Sequence, residues 1–175
     1  MWKKILIVIA VLIGGVLVLA TTQPESFSVK RSIAIKAPAA KVFVMIDDFH
    51  QWSAWSPWEK LDPAMSRTFS GPSSGKGAIY GWTGNSDVGE GRMEILTSTP
   101  PTKILIKLDF ITPFEGHNTA EFTLEPQGEM TKVTWDMYGP MPFVSKLMSV
   151  FVSMDTLIGK DFEAGLANMK TVAEK

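Results

Sequence analysis

From Pro142 to Lys175 the chain repeats apolar side chains at helical spacing: Leu147, Phe151, Met154, Ile158, Phe162, Leu166 and Met169 fall three or four residues apart. Met148, Asp155 and Gly159 widen that stripe, while Ser145, Lys146, Ser149, Ser153, Thr156, Lys160, Glu163 and Lys170 lie mostly off it. Pro142 suits a first helical turn, where its fixed φ is already helical and its missing N–H has no partner to lose. The stretch predicts one long amphipathic helix. A helix with a single broad apolar face has to bury it against another layer.

The chain upstream supplies that layer as strands. Phe27, Val29, Ile33 and Ile35 alternate with Ser28, Lys30, Ser32 and Lys36. Strand-like runs then follow at Arg67 to Ser70, Ala78 to Gly84, Gly89 to Thr97, Lys103 to Ile111, Glu115 to Glu125 and Thr131 to Gly139. Gly/Pro-rich turns separate them, with no room for a crossover helix, so the runs predict an antiparallel sheet of seven strands. Ile104, Ile106, Leu108 and Phe110 share one parity, as do Asn118, Ala120, Phe122 and Leu124, and Val133, Trp135 and Met137. Lys107, Asp109, Glu121, Thr123, Thr134 and Asp136 take the other, the pattern of a sheet with one face in water. Tyr80 and Trp82 share a face of their own strand. Arg31 breaks the pattern of the first strand, and its head is expected in water near the strand end.

Between the first two strands, Pro38 opens a helix whose buried face is Val42, Phe43, Ile46 and Phe49. Asp47 and Asp48 sit badly at a helix C-terminus, so this helix is expected to break close to Phe49. The run Trp52-Ser53-Ala54-Trp55-Ser56-Pro57-Trp58 then repeats tryptophan every third residue, which in a tight turn would put the indoles on one edge. Such a turn either pins a loop on the core or roofs a cavity, with Glu59 or Asp62 as its polar group.

At the N-terminus, Trp2-Lys3-Lys4 precede an unbroken apolar run from Ile5 to Ala20. Its length approaches the thickness of a bilayer core, about 30 Å. It reads as a retained anchor or as a cleaved signal peptide with a short basic start. Thr22 is a poor final residue for cleavage, which favours the anchor. Lys3 and Lys4 put the N-terminus in the cytoplasm by the positive-inside rule and the rest of the chain outside. The resulting division is an anchor at 1–22, a linker at 23–26 and a domain at 27–175, a single-pass protein of the cell membrane with its domain extracytoplasmic.

Composition removes several classes of function. A net charge of −1 offers no basic surface for nucleic acid. The absence of cysteine excludes disulfides, thiolate metal sites and cysteine nucleophiles. His50 and His117 are far apart and are read as a helix-end contact and a solvated surface residue, so no metal or cofactor site is expected.

The order of elements, together with Arg31-Ser32-Ile33, Ala37-Pro38-Ala39-Ala40-Lys41-Val42-Phe43, the tryptophan run and Asp161-Phe162-Glu163-Ala164-Gly165-Leu166, resembles the SRPBCC, or START-like, superfamily. Within it the chain is similar to membrane-anchored proteins of polyketide cyclase or dehydrase type. The resemblance covers about residues 27–172. It implies a helix-grip fold, a curved seven-stranded sheet around a long C-terminal helix, of class α+β, with an apolar cavity between them. It does not fix an activity, since the superfamily includes lipid carriers, receptors, cyclases and chaperone-activating domains.

On this basis the expected ligand is a lipid or other hydrophobic small molecule, with a cyclase or dehydratase acting on an apolar substrate as the alternative. Trp55 and Trp58 from the tryptophan run, and Tyr80, Trp82, Phe110, Phe122, Trp135 and Met137 from the sheet, are the expected lining. Phe151, Met154, Asp155 and Ile158 are expected to face it from the helix. No catalytic set converges; Asp155 and Glu59, with Tyr80 beside them, are the polar candidates. Asp155 would either cap a loop or have its pKa raised by burial on the gripped face. Gly159 and Gly165 are expected to let the sheet come close.

Overall fold

In a computed structural model, described for residues 2–175, the N-terminal run is a continuous helix, α1, Trp2–Thr21. At 1.5 Å per residue it is about 30 Å long. Nearly every side chain on it is exposed, Val16 and Ala20 being the shielded ones. Among the described residues it is the one helix long and apolar enough to cross a membrane, a test that a signal sequence also passes. Four residues, Thr22, Gln23, Pro24 and Glu25, join it to the first strand.

The strands are β1 (Ser26–Ile35), β2 (Ser66–Ser70), β3 (Ile79–Thr83), β4 (Glu90–Thr99), β5 (Lys103–Thr112), β6 (Gly116–Gln127) and β7 (Met130–Pro140). They form one antiparallel sheet in the order β1-β7-β6-β5-β4-β3-β2. Register shifts within β4, between Glu90 and Gly91 and between Ile95 and Thr97, let the sheet bend. The predicted parity is the observed one: Ile104, Ile106, Leu108, Ala120, Phe122, Leu124, Val133, Trp135 and Met137 are all buried. Register also fixes the two ends of the sheet. Ser26 pairs with Pro140, Phe110 with Gly116, and Glu90 with both Thr112 and Thr83, so these residues gather at the end nearest α1.

α2, Ala39–Asp47, breaks before Phe49 as expected, and Asp48 has a use there. Its carboxylate accepts from the backbone N–H of His50 at 2.9 Å and starts the 3₁₀ turn Phe49–Ala54. A second short turn, Trp58–Lys60, follows Pro57.

The C-terminal stretch departs from expectation. It is two helices, α3 (Phe143–Ser149) and α4 (Met154–Ala173), rather than one. Ser153 adopts an extended backbone, φ −73° and ψ 154°, and its Oγ accepts from the N–H of Thr156 at 3.1 Å, which begins a helix afresh. Apolar spacing continued through the break, so periodicity alone did not reveal it. Phe151 falls in the break and is 71% exposed, away from the gripped face.

Past the break, α4 buries Phe162, Leu166, Met169 and Ala173 against the sheet and α2. Gly165 permits the close approach: a Cβ there would stand 3.0 Å from Trp135 Cζ3 and 3.2 Å from Pro57 Cδ. Gly159 serves a different purpose from the one expected. Arg31 does not end in water but reaches from β1 over Gly159, where a Cβ would collide with its guanidinium. Arg31 donates from Nη1 to Asp155 Oδ1 and from Nε to Glu163 Oε1, both at 2.7 Å.

Candidate functional site

The tryptophan run closes the helix before it. Trp52 Nε1 donates to the carbonyl of Ile46 and Trp55 Nε1 to that of Met45, each at 2.9 Å. These are carbonyls in the last turn of α2 that the helix itself cannot satisfy. Asn168 on α4 then donates to the Trp55 carbonyl at 3.1 Å and locks the turn onto the grip. Trp55 is thereby fully buried, edge-on to Phe122 and Trp135 with ring centroids 6.2 and 5.6 Å away.

Beside this aromatic plug lies a cavity of about 210 Å³ between sheet and helix. β3 contributes Tyr80 and Trp82, β5 Leu108 and Phe110, and β7 Trp135 and Met137. Met93 and Ala120 complete the sheet side, and Ile158 and Phe162 face it from α4. Trp52, Ser56, Trp58 and Glu59 close it from the tryptophan loop, with Met65 and Val88 at the edge. Trp135 stacks on Phe162 at 4.1 Å and 10°, so the wall is a rigid aromatic surface.

Among the described residues, the charged group lining the cavity is Glu59, and each of its oxygens has a partner. Glu59, its side chain 8% exposed, accepts from the Tyr80 hydroxyl at 2.6 Å on Oε1 and from Arg67 Nε at 2.7 Å on Oε2. Arg67 also donates to the Met65 carbonyl at 2.7 Å. Burial, and after it the hydrogen bond to Glu59, pushes the Tyr80 phenol well above its ordinary range, so it stays a neutral donor. The bond to Glu59 likewise raises Arg67. Trp82 Nε1 donates to the Val88 carbonyl at 3.0 Å. Among the described residues, Trp135 Nε1 is the buried side-chain polar atom without a partner, and it belongs to a residue of the wall.

A second concavity, a groove of about 640 Å³, lies at the α1 end. The β5–β6 loop (Pro113, Phe114), α3 (Val144, Met148) and the start of α4 (Met154, Leu157) line it. Phe110, Met137 and Ile158 line both spaces and form the wall between them.

Eight of the residues singled out from the sequence meet at the cavity: Trp58, Glu59, Tyr80, Trp82, Phe110, Trp135, Met137 and Ile158. Trp55 and Phe122 lie instead in the close-packed core, and Met154 lies in the groove. Phe151 is out in solvent. Asp155 sits on the outer side of α4, where the hydrogen bond from Arg31 holds its carboxyl below the usual range rather than above it. Leu108, Ala120 and Phe162 have the inward faces expected of them but were not among the expected lining, while Met65 and Val88 come from loops that carried no signal. His117 is at the surface, paired with Asp109 at 2.8 Å, and His50 pairs with Asp48 at 2.7 Å. Among the described residues no group of His, Asp or Glu is arranged to hold a metal ion.

Residues 26–174 match the family described as polyketide cyclase / dehydrase and lipid transport. The chain belongs to that family. Solved structures similar to it include the di-domain ARO/CYC BexL from the BE-7585A biosynthetic pathway, 17% identical with a TM-score of 0.62 over 90% of this chain and 53% of that one. The Aha1 dimer from Colwellia psychrerythraea is 14% identical, with a TM-score of 0.61 over 85% and 96%. Major latex-like protein 151 from Panax ginseng is 10% identical, with a TM-score of 0.59 over 87% and 100%. At these identities they share the helix-grip fold with this chain. A search of curated proteins finds no match. Family and fold together suggest hydrophobic ligand binding or a cyclase-like role.

Proposed function

We propose that the domain, residues 27–175, binds a lipid or another hydrophobic small molecule in the cavity between the sheet and α4, and does no chemistry on it. In this reading residues 1–22 anchor it in the cell membrane, residues 23–26 link the two parts, and the domain lies on the extracytoplasmic side. The observation that carries binding over catalysis is the state of Glu59. Both its oxygens are taken, by a phenol and a guanidinium, in a wall otherwise built of aromatic and aliphatic side chains. Each oxygen keeps a second lone pair, but taking a substrate proton there would weaken the bonds to both partners, and among the described residues no second carboxylate or histidine lines the cavity to relay it. What remains for a ligand is chiefly apolar area.

The cyclase reading has one supporting observation, the Tyr80–Glu59 pair itself, a phenol and a carboxylate 2.6 Å apart on the wall. Tyr80→Phe separates the readings: a binder loses at most modest affinity, whereas a cyclase working through this pair loses turnover. Native mass spectrometry of the full-length protein released from detergent is the direct test. Co-purified apolar mass that disappears in a cavity-filling variant is expected; a protein that never carries such mass and ignores hydrophobic probes would overturn the proposal. For orientation, a C-terminal alkaline phosphatase fusion should be active, and an active cytoplasmic reporter in its place would reverse the topology.

A further inference from the structure

The end of the domain nearest α1 carries an apolar face that no described part of the chain covers. Ile111 and Phe114 project from the end of β5 and the loop after it, Val144 and Met148 from α3, Phe151 from the break between helices, and Leu157 from the start of α4. Phe114 is 63% exposed and Phe151, as above, more so. Scattered exposed apolar residues are ordinary, but Phe114, Val144, Met148 and Leu157 line one groove at one end of the sheet, and Ile111 and Phe151 lie within three residues of them along the chain. Charge is confined to one rim of the groove, at Glu115 and His117, and is sparse on the helical side. In the stretch from Pro142 to Ser153 the single charged residue is Lys146, and it is buried, with Nζ donating to Glu25 Oε1 at 2.5 Å.

The position of α1 says what such a face meets. α3 packs on α1, and the shielded residues of α1, Val16 and Ala20, are one turn apart near its C-terminal end. The linker has four residues, a reach of about 14 Å at full extension, and the Glu25–Lys146 pair shortens it further. The face therefore stands level with the point where α1 would leave a bilayer.

We propose that this face seats in the interfacial layer of the bilayer that α1 spans, with the groove opening toward lipid. The inference rests on the anchor reading of α1. A helical segment whose single lysine is buried and whose rim is large apolar side chains is suited to lying in that layer, about 5–10 Å into the boundary between headgroups and acyl chains. The charged rim of the groove, Glu115 and His117, would lie at headgroup level.

The test uses the full-length chain, which has no cysteine and so accepts single labelling sites. Leu12→Cys, Phe114→Cys, Phe151→Cys and Glu129→Cys are each labelled with an environment-sensitive nitrobenzoxadiazole dye. Each is reconstituted at high lipid-to-protein ratio into phosphatidylcholine/phosphatidylglycerol vesicles with or without doxyl-labelled phosphatidylcholine. Labels at Phe114 and Phe151 are expected to shift to the blue and lose fluorescence to doxyl groups placed near the headgroup. The label at Leu12 should be quenched by groups placed deep in the acyl region, and that at Glu129, on the far hairpin, should stay water-like. If Leu12 is quenched while Phe114 and Phe151 emit as in water, the docking face is wrong and the anchor stands. An unquenched Leu12 overturns both. A blue shift at Phe114 and Phe151 without lipid quenching means that protein, such as a second copy, covers the face, which also overturns the proposal. Thermal melts of the labelled variants confirm that each is folded.

Discussion

The two ends of α4 meet the same sheet and behave differently. Toward its C-terminus, Leu166, Met169 and Ala173 are buried, the Lys170 ammonium donates to the Ala34 carbonyl, and Glu174 accepts from the Lys36 backbone. Toward its N-terminus, Leu157 is 47% exposed, Met154 is half-buried over a groove, and the contact with the sheet is an ion-pair cluster on the outer side. The cavity lies where packing gives way to that open end. The lesson is that a helix can be clamped at one end by close packing, which sets stability, and left at the other with space beneath it, which suits a ligand.

Leucine pairs break this comparison most directly. Leu166→Ala should cost about 2–5 kcal/mol, since it removes a buried side chain from a site that cannot collapse. Leu157→Ala, on the same helix, should stay within about 0.5 kcal/mol, as surface changes do. Denaturant melts on both decide it, and equal losses would mean that the open end is as packed as the closed one. Next in size is Trp55→Phe. It keeps an aromatic side chain but a smaller one, and it leaves the Met45 carbonyl buried without a donor, for a loss of about 1–3 kcal/mol from the carbonyl alone, with a cavity term added. A smaller effect on stability and a larger one on binding is expected from Ile158→Trp. Overpacking a filled core costs about 1–3 kcal/mol, but Ile158 stands between two spaces and its enlargement should be nearly neutral in a thermal melt. Binding of a naphthalene sulfonate dye should fall sharply, with Met154→Trp, in the groove, affecting it less. An Ile158→Trp variant that unfolds would show that the cavity is no real space. The smallest effect concerns pH. The carboxyl of Asp155 is depressed by Arg31, so its contribution is complete above the ordinary aspartate range, near 3.9, and is lost as pH falls through the lowered value. A carboxyl ¹³C titration should place its midpoint below that of a solvated aspartate, and Arg31→Gln should bring it back.

The sheet was readable because strand parity is a strict signal: each inward residue from Ile104 to Met137 followed from alternation alone. Tyr80 and Trp82 reached the cavity by the same logic. Helical periodicity was weaker evidence. Seven apolar positions from Leu147 to Met169 fit one helix, and nothing in their spacing betrays that Ser153 restarts it. Phe151 was therefore placed on a face that the break moves away, while Met154 keeps the face of Ile158 but opens on the groove and not on the cavity. Asp155 was misread for a related reason: it lies on the stripe by count, but Arg31, itself out of pattern on β1, draws it outward. Two anomalies that looked separate were partners. The tryptophan run carried a strong composition signal and no information on direction, because which indole caps α2 and which faces the cavity depends on a chain reversal that spacing does not encode.

The four-residue linker has a consequence for how such a domain works with others. A carrier that moves a ligand across an envelope needs a tether comparable with the gap it crosses, and this one reaches about 14 Å. With α1 in a bilayer, the domain is a fixed station and not a shuttle: it can take up or release only what passes along its own membrane surface. Lengthening the stretch Thr22–Glu25 with a flexible insert would turn it into a mobile carrier and so ask whether the cell needs the domain or needs it in that place.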